Sequence, residues 1–485
     1  MATMASMAAI VATVAACGST PTGQAPPSTG QPSRIETVGD LALGVNVAAW
    51  DGVYRGPTAT ATAIDAGLRA AGVGLLRYPG GSWADEYDWS TNTDTSTCAP
   101  TAAATTACSS PDPLGFDTFS SQARGLGASA LVTVNYGSGT PALAASWVAH
   151  ATATRAGVAW WEVGNESYSC YETNTHLAEP PTDVQGYRPD SSVCPSTALM
   201  AKSYAAHAPP YLQAMRKADP AAVLGVPWAF TSSEASGAAV ADAAMWDRVV
   251  LRATGPDIGF VDAHWYPFDQ IAGLSDQAIL ASVHRIPAAA ARIRASLRAH
   301  APRAAFVVGE TNISERLTTL DFAPVSALFA AATTLEWLAQ GAGSVVWWDL
   351  NNYGSPAGGD YGLVSSGSPE VQAPGTPFPP YYGVQLASML TTTGSRLSTL
   401  ATGSASVVGF RSDQHGHRNL LLVNSGGADT VTVLPSWFRR GSAVATAFYS
   451  AATAGGADPI VHATVTAGHR LSLPAESIVV LSGTP

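Results

Sequence analysis

Short apolar runs rich in β-branched residues alternate along most of the chain with Ala-rich stretches of helical spacing. Eight of the runs read as buried strands: Leu41–Val47, Gly74–Tyr78, Ala128–Val134, Val158–Val163, Ala222–Val226, Ile258–Ala263, Ala304–Gly309 and Ser344–Trp348. Between them lie helical candidates such as Thr62–Ala71, Met200–Lys217 and Ala288–His300. The last two carry Arg or Lys toward their ends, where the helix dipole favours cations. Eight strand–helix units predict a closed (β/α)8 barrel of the α/β class over residues 34–393. Beyond Thr393 the helical pattern stops. Ser406–Phe410, Asn419–Val423, Thr430–Leu434, Val444–Tyr449 and Ser477–Leu481 are short β-rich runs parted by Gly, Ser and Asp turns, which predicts an antiparallel β-sandwich over residues 394–485.

Composition fits such a molecule. Of 485 residues, 46% are hydrophobic, enough for one large core with a smaller domain beside it. The net charge is −11 and the only lysines are Lys202 and Lys217, so no basic stripe exists to neutralise a phosphate backbone and nucleic acid is not an expected partner. The small domain has few aromatic side chains beyond Trp437, Phe438 and Tyr449, which favours a supporting role over glycan binding.

The first 17 residues are apolar and small, ending in Val14-Ala15-Ala16-Cys17 before Gly18-Ser19. That arrangement resembles a bacterial lipoprotein signal with Cys17 as the lipidated residue, although no Lys or Arg precedes Arg34. Residues 18–33 are mostly Gly, Ser, Thr, Pro and Gln and read as a flexible tether. An exported, cell-surface protein is expected, touching a membrane only through that lipid. The four remaining cysteines then suit disulfides. Cys98–Cys108 and Cys170–Cys194 are the expected pairs, each closing a loop without a core pattern, with the other two connectivities formally open. No CxxC or histidine cluster accompanies them, so neither a metal nor a cofactor is expected.

Two glutamates carry the candidate chemistry. Glu166 ends Trp160-Trp161-Glu162-Val163-Gly164-Asn165-Glu166, and Glu310 follows Phe306-Val307-Val308-Gly309. Both would emerge at the C-terminal ends of barrel strands, the face on which such barrels place their chemistry. Paired carboxylates there suit glycosidic bond cleavage: one protonates the leaving oxygen, the other attacks or activates water.

Strand two adds Leu76-Arg77-Tyr78-Pro79-Gly80-Gly81-Ser82-Trp83, strand six Asp262-Ala263-His264-Trp265-Tyr266, and strand eight Trp347-Trp348-Asp349-Leu350-Asn351. Together these runs resemble the retaining glycoside hydrolases of the barrel clan with its acid/base on strand four and its nucleophile on strand seven. They are most similar to bacterial α-L-arabinofuranosidases of glycoside hydrolase family 51, with heparanase-like β-glucuronidases and β-xylosidases as relatives. The resemblance implies Glu166 as general acid/base, Glu310 as nucleophile, and Asn165 as a hydrogen-bond partner of the sugar's 2-hydroxyl. The chain departs from the family 51 pattern at Ser82 and at Ser90-Thr91-Asn92, positions that line the sugar pocket in the relatives. The departure touches the sugar and leaves the reaction type alone.

The other candidates rest on position. Arg77 lies on a buried strand and needs a carboxylate partner, Glu310 or a structural aspartate. Gly80 and Gly81 serve either close approach of the ligand or a tight turn. His264 and Tyr266 alternate on strand six and should both face the barrel mouth, Tyr266 toward the nucleophile. Neighbouring aromatics are expected to desolvate Glu166 and raise its pKa. Trp348 would form a platform under the sugar while Trp347 joins the core. Trp83, Asn135, Tyr136, Asp349 and Asn351 are cleft candidates or ordinary loop residues. The expected activity is an exported α-L-arabinofuranosidase acting on arabinose-decorated carbohydrate, with a β-glucuronidase, β-xylosidase or galactofuranosidase as the alternative and a non-catalytic glycan-binding lipoprotein as the competing class. Nothing in the sequence fixes an oligomeric state.

Overall fold

A computed structural model describes residues 34–94, 111–177, 195–230 and most of 237–484. Eight parallel strands close into a barrel: Leu43–Asn46, Leu75–Tyr78, Ser129–Val134, Val158–Val163, Leu224–Trp228, Phe260–Trp265, Ala305–Thr311 and Val345–Trp347. Each overlaps one of the eight apolar runs read from the sequence. Helix starts lie a few residues earlier than periodicity suggests, because capping side chains sit outside the apolar stripe. Thr58 Oγ1 accepts from Ala61 N–H at 3.0 Å and starts the helix Ala59–Ala70, and Ser196 does the same for Thr197–Ala218.

The barrel interior is layered. Leu75, Leu131, Phe260, Val307 and Val346, one from each of five strands, form an apolar layer with Trp160 against it. Side chains two residues further along a strand point the same way, so Arg77, Thr133, Glu162, Asp262 and Trp348 belong to the next layer up.

C-terminal to the barrel, a seven-stranded antiparallel sheet runs in the order Glu36–Thr37, Arg396–Leu400, Val407–Gln414, His417–Asn424, Ser477–Gly483, Ala443–Ser450, Val461–Thr466. A two-stranded ribbon, Asp429–Thr432 with Arg470–Leu473, completes the sandwich. The run Leu420-Leu421-Leu422-Val423 explains the arrangement. Leu420 and Leu422 pack with Val431 and Leu473 of the ribbon, whereas Leu421 and Val423 join the main core shared with the barrel. A strand apolar at every position is covered on both faces. The helix Pro324–Ala339 lies against this sheet with every residue from Val325 to Ala339 buried, as an all-round apolar helix requires. Glu36–Thr37 pairs with Arg396–Leu397, so a segment preceding the barrel belongs to the C-terminal sheet. The small domain's aromatics are internal: Phe438 sits in the sheet–ribbon core and Tyr449 stacks on Tyr382. Trp437 is clasped by Arg411 and Arg418, their guanidinium carbons 5.2 and 5.0 Å from its ring centre.

Candidate active site

Arg77 is fully buried and sits at the centre of the polar layer. Its Nη1 donates to Glu310 Oε1 at 2.7 Å and to Asn46 Oδ1 at 2.9 Å. Its Nη2 donates to Asn165 Oδ1 at 2.9 Å and to Glu162 Oε2 at 3.1 Å, while Nε lies 3.6 Å from Asp262 Oδ2. The planar guanidinium fork is the side chain suited to five such partners. An isolated charge there would be prohibitive, and the carboxylates around it offset its desolvation. Both partners foreseen for Arg77 are therefore real: Glu310, and the aspartate Asp262. Glu162, not singled out by the sequence reading, adds a third. Burial drives the Glu162 pKa up to about 7, Asp262 adds to the rise, and Arg77 and His264 oppose it.

Glu310 reaches this centre through a β-bulge. Along strand seven, Val308 pairs with Ala263 and Glu310 with His264, so two steps on one strand match one step on its neighbour. The register with strand eight slips at the same place. The extra residue is Gly309, whose N–H donates to Asp262 Oδ1 at 2.5 Å. A Cβ at Gly309 would stand 2.0 Å from Asp262 Oδ2, so only glycine fits. A bulge re-aims the side chain beside it, and here it turns Glu310 inward. Tyr266 Oη donates to the second oxygen, Oε2, at 2.7 Å.

Glu166 follows a sharp reversal at the end of strand four, where Gly164 has φ +79° and Glu166 itself +37°. A left-handed non-glycine residue costs on the order of 1–3 kcal/mol and is found where the surroundings hold it in place. His264 Nδ1 lies 2.9 Å from Glu166 Oε1, Tyr168 Oη donates to the same oxygen at 3.1 Å, and His264 Nδ1 is 3.5 Å from Glu310 Oε2. One carboxylate oxygen of Glu166 and one of Glu310 lie within 4.8 Å of each other.

The electrostatics of Glu166 differ from expectation. Burial pushes its pKa up, but the hydrogen bond and charge of His264, with Tyr168 and Arg77, outweigh burial and hold it below its ordinary value. For His264 burial works downward, and Glu310, Asp262 and Glu166 overcome it and lift the imidazole well above its usual range. The aromatic shell foreseen for Glu166 is thus overridden by a histidine, and the opposed shifts favour imidazolium beside carboxylate.

The cleft above these groups has a volume of about 630 Å³, in the usual range for small-molecule sites. Gly81, Asn165, Glu166, His264, Tyr266, Glu310 and Trp348 line it. Gly81 leaves room for Trp348, since a Cβ there would meet the indole at 2.7 Å. Gly80 is packed on Ala48 and serves the turn. Five further candidates lie elsewhere. Trp83 donates to Asp112 at 3.1 Å, anchoring its loop. Asn135 caps a turn by accepting from Ser138 and Gly139 N–H. Tyr136 is buried against His176, Tyr204 and Tyr211. Asp349 is buried beside strand eight, and Asn351 donates to Asp51 at 2.8 Å. Each is polar or aromatic at a strand end, a signal that marks loop packing as readily as ligand contact. Trp347 joins the core.

Tyr168, Glu172, Glu315 and Tyr361 also line the cleft and were not foreseen. No strand-end motif marks them, since they sit in the loops beyond. Cys170 is disulfide-bonded. Cys17, Cys98, Cys108 and Cys194 lie outside the described residues, so neither expected pairing is tested. As for a metal, Glu162, Asp262 and His264 bring ligand atoms together, as do Glu166, His264 and Glu310. In the first group the guanidinium of Arg77 already supplies the positive charge, and in the second His264 spans the two carboxylates.

Fold and site geometry define a (β/α)8 barrel with an appended antiparallel sandwich and a carboxylate pair on strands four and seven. Solved structures with this architecture include a family 51 α-L-arabinofuranosidase from Bifidobacterium longum (15% identity, TM-score 0.65, covering 93% of this chain and 97% of that one) and the α-L-arabinofuranosidase of Thermotoga maritima in complex with arabinose (13%, 0.66, 93% and 98%). A 4-O-α-L-rhamnosyl-β-D-glucuronidase from Fusarium oxysporum matches as well (17%, 0.62, 94% and 98%). At these identities the likeness is one of fold. No family model and no curated protein matches the chain.

Proposed function

We propose that the protein is a retaining glycoside hydrolase, with α-L-arabinofuranosides as its substrates. The observation that carries this reading is the spacing of the carboxylates: oxygens of Glu166 and Glu310 lie within 4.8 Å, close to the roughly 5 Å of double displacement and well short of the about 6.5–9.5 Å that leaves room for an inverting water. Glu310, oriented by Arg77 and Tyr266, attacks the anomeric carbon as the bond to the leaving oxygen breaks. A proton from the hydrogen-bonded His264–Glu166 pair passes through Glu166 to that oxygen. In the second step Glu166 takes a proton from water, the hydroxide displaces Glu310 from the sugar, and both carboxylates return to their starting state. Water is the only co-reactant.

The arabinofuranoside assignment rests on the strand-two, strand-four and strand-six motifs and on the neighbouring solved structures. A uronic acid is the less suitable ligand. Among the described lining residues five are carboxylates, Glu166, Glu172, Asp242, Glu310 and Glu315, and Arg77 below them is already engaged by its partners. The test is hydrolysis of nitrophenyl α-L-arabinofuranoside, β-D-xyloside, β-D-glucuronide and β-D-galactofuranoside by parent and Glu310→Ala protein. Release from the arabinofuranoside alone, abolished in the variant, is expected. Equal release by both proteins refutes the mechanism, and preference for another glycoside replaces the sugar.

A further inference from the structure

Glu172 has no part in the steps above, yet it is a buried carboxyl, 4% exposed. It lies on the loop beyond strand four, past the reversal at Glu166. Its Oε1 accepts from Ser82 Oγ at 2.9 Å and from Asn165 Nδ2 at 3.0 Å, and its Oε2 has no hydrogen-bond partner. Burial, with Asp85 and Glu166 adding to it, pushes its pKa well above the ordinary range. Such a group costs stability, since a buried carboxyl with an unpaired oxygen is paid for by nothing in the packing.

Its neighbour Asn165 gives it a purpose. Arg77 has only donors, so the Asn165 atom facing it at 2.9 Å is the amide oxygen. The amide nitrogen therefore faces Glu172, which accepts one of its two hydrogens. With both contacts in place the amide cannot flip, its oxygen is consumed, and one N–H remains for the cleft that Asn165 lines. We propose that Glu172 is a positioning residue that locks Asn165 as a pure donor toward substrate; because Arg77 holds Asn165 and Glu310 side by side, that donor lies next to the carbon Glu310 attacks, and the subsite takes a glycon bearing an oxygen acceptor beside its anomeric carbon and rejects one bearing only donors, such as an ammonium group. Ser82 ties the same carboxyl to the loop after strand two, so both loops that shape this wall are pinned at one atom. The inference rests on the glycosidase reading and deepens it.

The test takes whichever aryl glycoside the parent cleaves fastest, with its 2-deoxy and 2-amino-2-deoxy analogues. In the parent, loss of the 2-oxygen is expected to lower kcat/KM about 10- to 100-fold, the worth of one hydrogen bond formed in the transition state. In Glu172→Leu and Glu172→Ala that penalty shrinks toward unity, with the loss in kcat rather than KM. Glu172→Gln, whose carbonyl accepts from the same two donors, keeps it. In an Asn165→Ala background, Glu172→Ala adds little further loss, because the two act through one contact. A merely structural Glu172 predicts instead equal slowing of all three substrates, or a full additional loss in that background, and either result overturns the proposal. If one variant does not fold, the other carries the same comparison. A parent that prefers the ammonium sugar also overturns it, whereas a parent that cleaves no glycoside brings down the glycosidase reading itself.

Discussion

Gly309→Ala is the substitution that most directly probes how the barrel aims Glu310. The new methyl would stand 2.0 Å from Asp262 Oδ2 and 2.4 Å from its Cγ, against a carboxylate itself held by Gly309 N–H and next to Arg77. Neither side can yield cheaply. Overpacking of a filled interior costs about 1–3 kcal/mol, and losing a hydrogen bond to a carboxylate about 1.5–3 kcal/mol. Together they predict a loss of about 2.5–6 kcal/mol, read as a lower urea midpoint at unchanged slope. The bulge that turns Glu310 inward moves with Gly309, and a displacement of about 1 Å at a reacting group costs roughly 100-fold in kcat. Adding Asp262→Ala vacates the space, so alanine at 309 should cost less stability in that background than in the parent, and the difference measures the clash. A Gly309→Ala protein within about 0.5 kcal/mol of the parent, with parental kcat, would refute the bulge argument.

Tyr266→Phe removes only the 2.7 Å hydrogen bond to Glu310 Oε2; kcat/KM should fall about 10- to 150-fold with little change in the unfolding midpoint, and parental turnover would show that Arg77 alone orients Glu310. His264→Gln should move the basic limb of the pH–rate profile to lower pH. In the parent the pair keeps a proton up to the raised pKa of His264, and in the variant only the Glu166 carboxyl can hold one, so an unmoved limb contradicts this source of the acid. Glu336 is buried in the helix against the C-terminal sheet, and burial lifts its pKa to about 7, with Gln340 opposing. The folded state binds that proton more tightly than the unfolded chain, so stability is lost as pH rises from about 4.5 through 7. Glu336→Gln should leave low-pH stability nearly unchanged and gain up to about 3 kcal/mol by pH 8; a pH-independent difference contradicts that origin.

The barrel was legible because its signal is repetitive. Eight buried strands write eight apolar runs, and a buried Arg77 announces that carboxylates must surround it. What periodicity cannot write is departure from periodicity. Read as a regular strand, Ala305–Thr311 would turn Gly309 and Thr311 inward, and only an interior glycine hinted at the bulge that presents Glu310 instead. Glu162 stood in plain view within the strand-four run, yet its role appears only once strand two is set near it in the closed barrel, with one strand between. The lowered pKa of Glu166 depends on His264, 98 positions away. Asn135, Tyr136 and Asn351 carry the same residue types at strand ends as true cleft residues, and only packing tells them apart. Glu172 lies on a loop that carries no periodic code.

Double displacement at this site leaves a covalent sugar on Glu310. Glu166→Ala protein incubated with an activated aryl glycoside should form the glycosyl ester readily, because the good leaving group needs little acid, and should hydrolyse it slowly for want of a base. Mass spectrometry of the peptides should then find one added glycosyl unit on the fragment containing Glu310, and none in a Glu166→Ala/Glu310→Gln double variant. Turnover without an adduct and with inverted product, or an adduct on another residue, would contradict the account.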